Sequence, residues 1–125
     1  MNFDKYTIKS QEVLQKATEI AMANDQQAIE TGHLLKAILE SDENLTSFIF
    51  NKLGVHRNRI QDGLEEIIGG YPKVQGQQPY LSNQAHQALT QGEKYLKEFG
   101  DEFIAVEHIL LGILKGSDKT ASLLK

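Results

Sequence analysis

His33 and His108 are the side chains best suited by type to carry a proton or ligate a metal ion, since imidazole does both near neutral pH. Their spacing argues against either role. Neither has a second histidine four residues away, and Glu107, beside His108, projects from a different helical face, so a zinc site would need convergence from remote segments. Both are therefore expected to be structural, near helix starts and hydrogen-bonded locally. The carboxylate pairs Glu65 with Glu66 and Asp101 with Glu102 are sequence neighbours, which diverge on a helix, whereas acid/base work needs convergence. Solvated faces explain them, and Asp101 stands where its charge favours the start of the next helix.

Other chemistries are missing. No Gly-x-x-x-x-Gly-Lys-Ser/Thr loop is present to cradle a nucleotide phosphate, and no Gly-x-Ser-x-Gly elbow to present a nucleophile. The chain has no cysteine, which removes thiol nucleophiles, thiolate metal sites and disulfides. No catalytic residue, bound cofactor or metal site is expected, and a small hydrolase would have to rest on His33 or His108 alone. With 13 basic and 17 acidic residues the net charge is −4, so nothing global draws the chain to nucleic acid or anionic lipid. His56, Arg57 and Arg59 form the best basic cluster, which reads as a solvated turn. No basic region followed by an apolar run opens the sequence, and a cytoplasmic location is the default expectation.

What must position these residues is a repeat. Shifting the sequence by 75 residues lays Thr7 to Phe50 over Ser82 to Lys125 without a gap, with seven identities in 44 positions. Five of the seven fall between Ile29 and Leu39, including His33 on His108, and that clustering is the evidence for duplication. In the first unit, Thr7 is expected to cap a helix running to about Ala23, with Val13, Leu14, Ala17, Ile20 and Ala21 on its apolar face. Thr31 is expected to cap a second helix bearing Leu34, Leu35, Ile38 and Leu39. Asn44 would cap a third, carrying Leu45, Phe48, Ile49 and Leu53 and stopped by Gly54. Asn58 would cap a fourth, with Ile60, Leu64, Ile67 and Ile68.

The second unit repeats the plan, with Ser82 capping a helix to about Phe99, ended by Gly100, and another from Val106 to Leu114. Residues 69–80, holding both prolines, form a linker expected to be ordered by packing of Tyr71, Val74 and Tyr80. The fold class is all-α, a duplicated four-helix unit in one domain over 1–125: repeat one about 3–70, repeat two about 81–125. The second unit only begins its third helix at Lys125, so the natural sequence is expected to continue. A groove where the two units meet could accept apolar segments of another chain.

The residues Phe3, Thr7, Leu14 and Ala17, then Ile29 to Leu39, repeated from Ile104, resemble the double repeat at the N-terminus of Clp/Hsp100 chaperones. The linker Tyr71-Pro72-Lys73-Val74-Gln75-Gly76 and the segment Gly100-Asp101-Glu102-Phe103-Ile104 are similar to those of the ClpB-type disaggregases. That resemblance implies an eight-helix pseudo-twofold domain joined to two ATPase modules and a coiled-coil middle domain. It further implies a hexameric ATPase using ATP and magnesium outside this chain, and an Hsp70-system co-chaperone engaged through other domains. The domain itself would bind exposed hydrophobic stretches of aggregated or unfolded proteins and pass them to the pore, and the positions implicated correspond to Thr7, Asp101 and Glu107. The protease-coupled relatives read Thr-Glu-His in both copies and use those acids to recognise phosphorylated arginine. Here the first copy reads Thr31-Gly32-His33, which favours the disaggregase type. The alternative is an adaptor-docking domain of a protease-coupled Clp ATPase or of a free-standing relative.

Overall fold

The structure, a computed structural model, describes residues 4–41, 43–54, 56–74, 78–99 and 103–124; within its helices the side chains of Ile49, Leu53, Lys97 and Phe99 lie outside the description. Helix α1 (Ile8–Ala23) begins where Thr7 Oγ1 accepts the Ser10 N–H at 3.1 Å, satisfying one of the four unpaired first-turn amides. It buries Val13, Leu14, Ala17 and Ala21 at helical spacing. Asn24 closes it, donating its side-chain amide to Ile20 O at 2.8 Å, and Asp25 turns the chain at φ 56°, in the left-handed region that Asp tolerates better than most residues.

After a two-residue strand β1 (Ala28–Ile29) comes α2 (Thr31–Ser41), buried along nearly its whole length, then α3 (Glu43–Leu53) and α4 (Arg57–Gly69). Gly54, at φ +68°, supplies the left-handed stop after α3. The second unit follows with β2 (Tyr80–Leu81), α5 (Asn83–Phe99), α6 (Val106–Leu114) and α7 (Lys119–Leu124). Ser82 Oγ caps α5 by accepting the Ala85 N–H at 3.1 Å, and Asp118 Oδ1 caps α7 through Ala121 N–H at 2.9 Å.

Three expected caps are corrected. Thr31 lies inside the first turn of α2, and its hydroxyl donates to Asp118 Oδ2 at 2.8 Å, a partner 87 residues away that local pattern could not reveal. Asn44 is the second residue of α3, and Asn58 the second of α4, where His56 takes the cap position without a side-chain cap bond. The linker is also held differently. Tyr71 packs on the core, but Val74 and Tyr80 are exposed. Backbone bonds take over, from Val74 N–H to Asp25 O at 2.7 Å and Tyr80 N–H to Gln27 O at 3.1 Å. Gly76 and Gly100 lie outside the described residues.

The two units are interlaced. β1 pairs in parallel with β2, Ala28 opposite Tyr80 and Ile29 opposite Leu81, while Tyr6 bridges Ile104 in the same sense. Ser82 N–H donates to Ile29 O, and Thr7 N–H to Ile104 O, both at 3.0 Å. These bonds are equivalent under the 75-residue shift, so each unit's leading segment is stitched into the other unit. The core is correspondingly single, running from Val13, Leu34, Leu35 and Ile38 through Ile60 and Leu64 to Ile104, Ile109 and Ile113. Each such aliphatic side chain, fully buried, contributes about 1.5–3 kcal/mol. Helices α5 and α6 touch through Gly112, where a Cβ would overlap the carbonyl of Ala88. Under the 75-residue shift Gly112 and Ala88 correspond to Ala37 and Val13, both fully buried.

Candidate functional site

The duplicated histidines sit at the third position of α2 and α6, and each closes its helix N-terminus in the same way. His33 Nδ1 accepts the Glu30 N–H at 2.8 Å, and His108 Nδ1 accepts the Ala105 N–H at 2.8 Å. This is the reach-back bond that Glu or Gln makes in a capping box. An Nδ1 that accepts leaves the neutral ring's hydrogen on Nε2, and His33 Nε2 donates to Gln26 Oε1 at 2.6 Å. Gln26 in turn donates to Ile68 O at 2.6 Å, tying the end of α4 to the same network. Burial, then the nearby Lys36 cation, lower the His33 pKa to about 4. The expectation of structural histidines holds for both.

Beyond this shared cap the two helix starts differ. At α2 the ring of Tyr71 packs against His33, with centroids 5.2 Å apart, and its hydroxyl accepts the Gly32 N–H at 3.3 Å. A Cβ on residue 32 would stand 2.7 Å from that oxygen and 3.3 Å from Ile68 Cγ1, so any larger residue there would have to shift the Tyr71 ring. Burial raises the Tyr71 phenol pKa, so it remains a neutral cover. At α6 the equivalent residue is Glu107, exposed in the first turn, where its charge complements the helix dipole.

Thr7 stands beside this open helix start. Tyr6 and Ile104, paired by the bridge, point into the core, at 5% and 0% exposure. Side chains alternate along an extended segment, so Thr7 and Phe103 face the other way. Thr7 is half-buried and its hydroxyl is engaged in the cap, accepting from Ser10 N–H and donating to Ser10 Oγ at 2.9 Å. Burial, then the Glu93 carboxylate, raise the Tyr6 phenol to about 12, so the floor under this face stays uncharged. Thr7 is thus bonded to Ile104, two residues ahead of α6, whose first turn carries the exposed Glu107, while Asp101 and its neighbour Glu102 lie outside the described residues.

Sequence reasoning missed two large apolar residues exposed near the Thr7–Ile104 bond. Ile8 is 77% exposed and Phe103 52%, on either side of the Thr7–Ile104 bond. The available signal was negative: Ile8 falls off the stripe of Val13, Leu14, Ala17 and Ala21, and Phe103 precedes the buried Ile104. Elsewhere, Glu65 pairs with Lys36 at 2.6 Å on the surface. Arg57 reaches Glu43 at 3.5 Å. Among the described residues no group of three His, Asp or Glu side chains could hold a metal ion, and no helix is long and apolar enough to cross a membrane.

Residues 5–125 match the family described as the Clp repeat (R) N-terminal domain. The chain is 42% identical over 125 residues to the chaperone protein ClpB of Bacteroides thetaiotaomicron, covering all of this chain and 14% of that protein. It is 33% identical over 114 residues to ClpB of Staphylococcus aureus, covering 88% of this chain and 13% of that protein. The chain therefore spans about one-seventh of the length of the ClpB of Bacteroides thetaiotaomicron. In fold it is similar to the Hsp104 N-terminal domain from Candida albicans, with a TM-score of 0.82 at 20% identity, over 96% of this chain and 77% of that one. A TM-score of 0.83 at 19% identity relates it to the N-terminal domain of the ClpV1 ATPase from E. coli, over 98% of this chain and 78% of that one. An all-α duplicated unit, a match across residues 5–125 and whole-chain identity to ClpB agree: this chain belongs to the Clp repeat N-terminal domain family, in the form found in ClpB chaperones.

Proposed function

We propose that the face formed by Thr7, Ile8, Phe103 and Glu107, with Asp101 beside it in sequence, binds exposed apolar segments of unfolded or aggregated proteins. It does so as the substrate-recognition domain of a cytoplasmic ClpB-type chaperone. The observation that carries this reading is the pair Ile8 and Phe103, two large exposed apolar side chains adjoining in sequence the bonded residues Thr7 and Ile104. Apolar anchors with a polar rim are what an extended or helical peptide with alternating side chains requires. The segment would then pass to ATPase modules of the longer protein, where ATP and magnesium supply the work. A single shallow face yields modest affinity, which six copies in a ring would raise through avidity.

Titrating the chain with a permanently unfolded model protein, while following backbone amide resonances, tests the reading. Shifts should concentrate at residues 6–9 and 103–108, and Ile8→Ser with Phe103→Ser should weaken binding at least about tenfold, the scale of two lost apolar anchors. Shifts elsewhere, with these residues silent, would overturn the assignment and favour adaptor docking.

A further inference from the structure

A second surface lies apart from the Thr7 face. Helices α4 and α7, one from each unit, enclose a groove of about 720 Å³. Close approach of the two helices is set by Gly63, where a Cβ would stand 2.5 Å from Leu123 Cδ1. The helices run in opposite directions. Asp118, at the start of α7, holds Thr31 beside the Tyr71 that follows α4, while Leu123, near the end of α7, meets Gly63 in the middle of α4. The floor is apolar, with Ile60, Ile67 and Leu123, and the rim is charged. His56 and Arg59 stand at the amino end of α4, and Lys119 and Glu66 at the other. Among the described residues no ion pair engages Arg59 or Lys119, although Arg57, two residues before Arg59, is paired with Glu43.

We propose that the α4–α7 groove is a docking site for an acidic amphipathic segment of a partner protein, its apolar side chains on Ile67 and Leu123 and its carboxylates against Arg59 and Lys119. Charge identifies the occupant. The chain as a whole carries −4, yet this rim offers two cations that no ion pair engages among the described residues, against one carboxylate, a local inversion that repels basic segments and attracts acidic ones. Nucleic acid fits less well, because two cations neutralise little of a phosphate backbone and Glu66 opposes it. The site is independent of the proposed substrate face, so either can fail without the other.

The test uses a labelled peptide of about 14 residues with leucines at i, i+3, i+4 and i+7 and glutamates between them. Fluorescence anisotropy measures its binding to the 125-residue chain, alongside analogues in which glutamine or lysine replaces every glutamate. The glutamate peptide should bind most tightly, with affinity falling as salt rises. Arg59→Glu with Lys119→Glu, both at exposed positions, should weaken it about tenfold or more and confer binding of the lysine peptide. Glu66→Lys should tighten the glutamate peptide. None of these variants should change binding of the unfolded model protein. Equal binding of the glutamate and glutamine peptides, insensitivity to both sets of variants, or tighter binding of an oligouridylate at the same rim would each overturn the proposal.

Discussion

The amino ends of α2 and α6 are equivalent by duplication, share an imidazole cap of the same 2.8 Å length, and yet one is roofed and the other open. At α2 the linker brings Tyr71 over Gly32; at α6 the matching position is Glu107 in solvent. Duplication preserved the bond that starts each helix, because losing it exposes an unpaired amide in either copy. It did not preserve the residue beside the cap, a buried glycine under Tyr71 in one copy and an exposed glutamate in the other. A nearly symmetric backbone thus carries one roofed helix start and one with an exposed carboxylate.

The largest test of this comparison is an exchange at the two equivalent positions. Gly32→Glu must displace the Tyr71 hydroxyl and bury a carboxylate, and should cost about 3 kcal/mol or more in urea unfolding. Glu107→Gly, at an exposed site, should cost no more than about 1 kcal/mol, the ordinary helix penalty of glycine. Similar losses at the two sites would break the contrast between a roofed and an open helix start.

A smaller effect follows from the roof itself. The fold holds His33 neutral, with its pKa lowered from 6.5 to about 4, so on acidification the unfolded chain takes up this proton first. The His33 contribution to stability is complete above pH 6.5, is lost as pH falls toward about 4, and changes no further below that. One proton limits the slope to about 1.4 kcal/mol per pH unit. In unfolding curves measured across this window, the difference between the wild type and His33→Gln should shrink as pH falls. A constant difference would show that the imidazole is not held neutral beneath Tyr71.

The smallest effects separate capping from binding. Thr7→Ala and Ser82→Ala each remove one helix N-cap at equivalent positions and should cost about 1 kcal/mol apiece. Only Thr7→Ala should also weaken capture of the unfolded model protein. If both leave binding unchanged, Thr7 is a cap and nothing more.

The helices were legible wherever local signals carried them. The stripe of Val13, Leu14, Ala17 and Ala21, the caps at Thr7 and Ser82, the stop at Gly54 and the span from Val106 to Leu114 all stand as read. The misread caps share a cause. Thr31 has the right chemistry to cap α2, but a remote carboxylate, Asp118, takes its hydroxyl, while His33 completes the helix start from within. The linker misled for a related reason: Val74 and Tyr80 looked like packing residues, but it is their backbone amides that are held, by Asp25 and Gln27. Of the candidate face, Thr7 and Glu107 were named through a family resemblance, whereas Ile8 and Phe103 emerged only when burial could be compared residue by residue.

By itself the sequence determined the duplication, the order and approximate bounds of the helices, and the structural use of His33 and His108. Those properties rest on spacing and on bonds spanning three or four residues. Only the tertiary structure decided that Tyr6 pairs with Ile104 while Ile29 pairs with Leu81, that Tyr71 roofs one helix start, and that Arg59 and Lys119 share a groove rim. Each of these joins residues dozens of positions apart, and a one-dimensional pattern of polarity does not encode which distant backbone or side chain will arrive there.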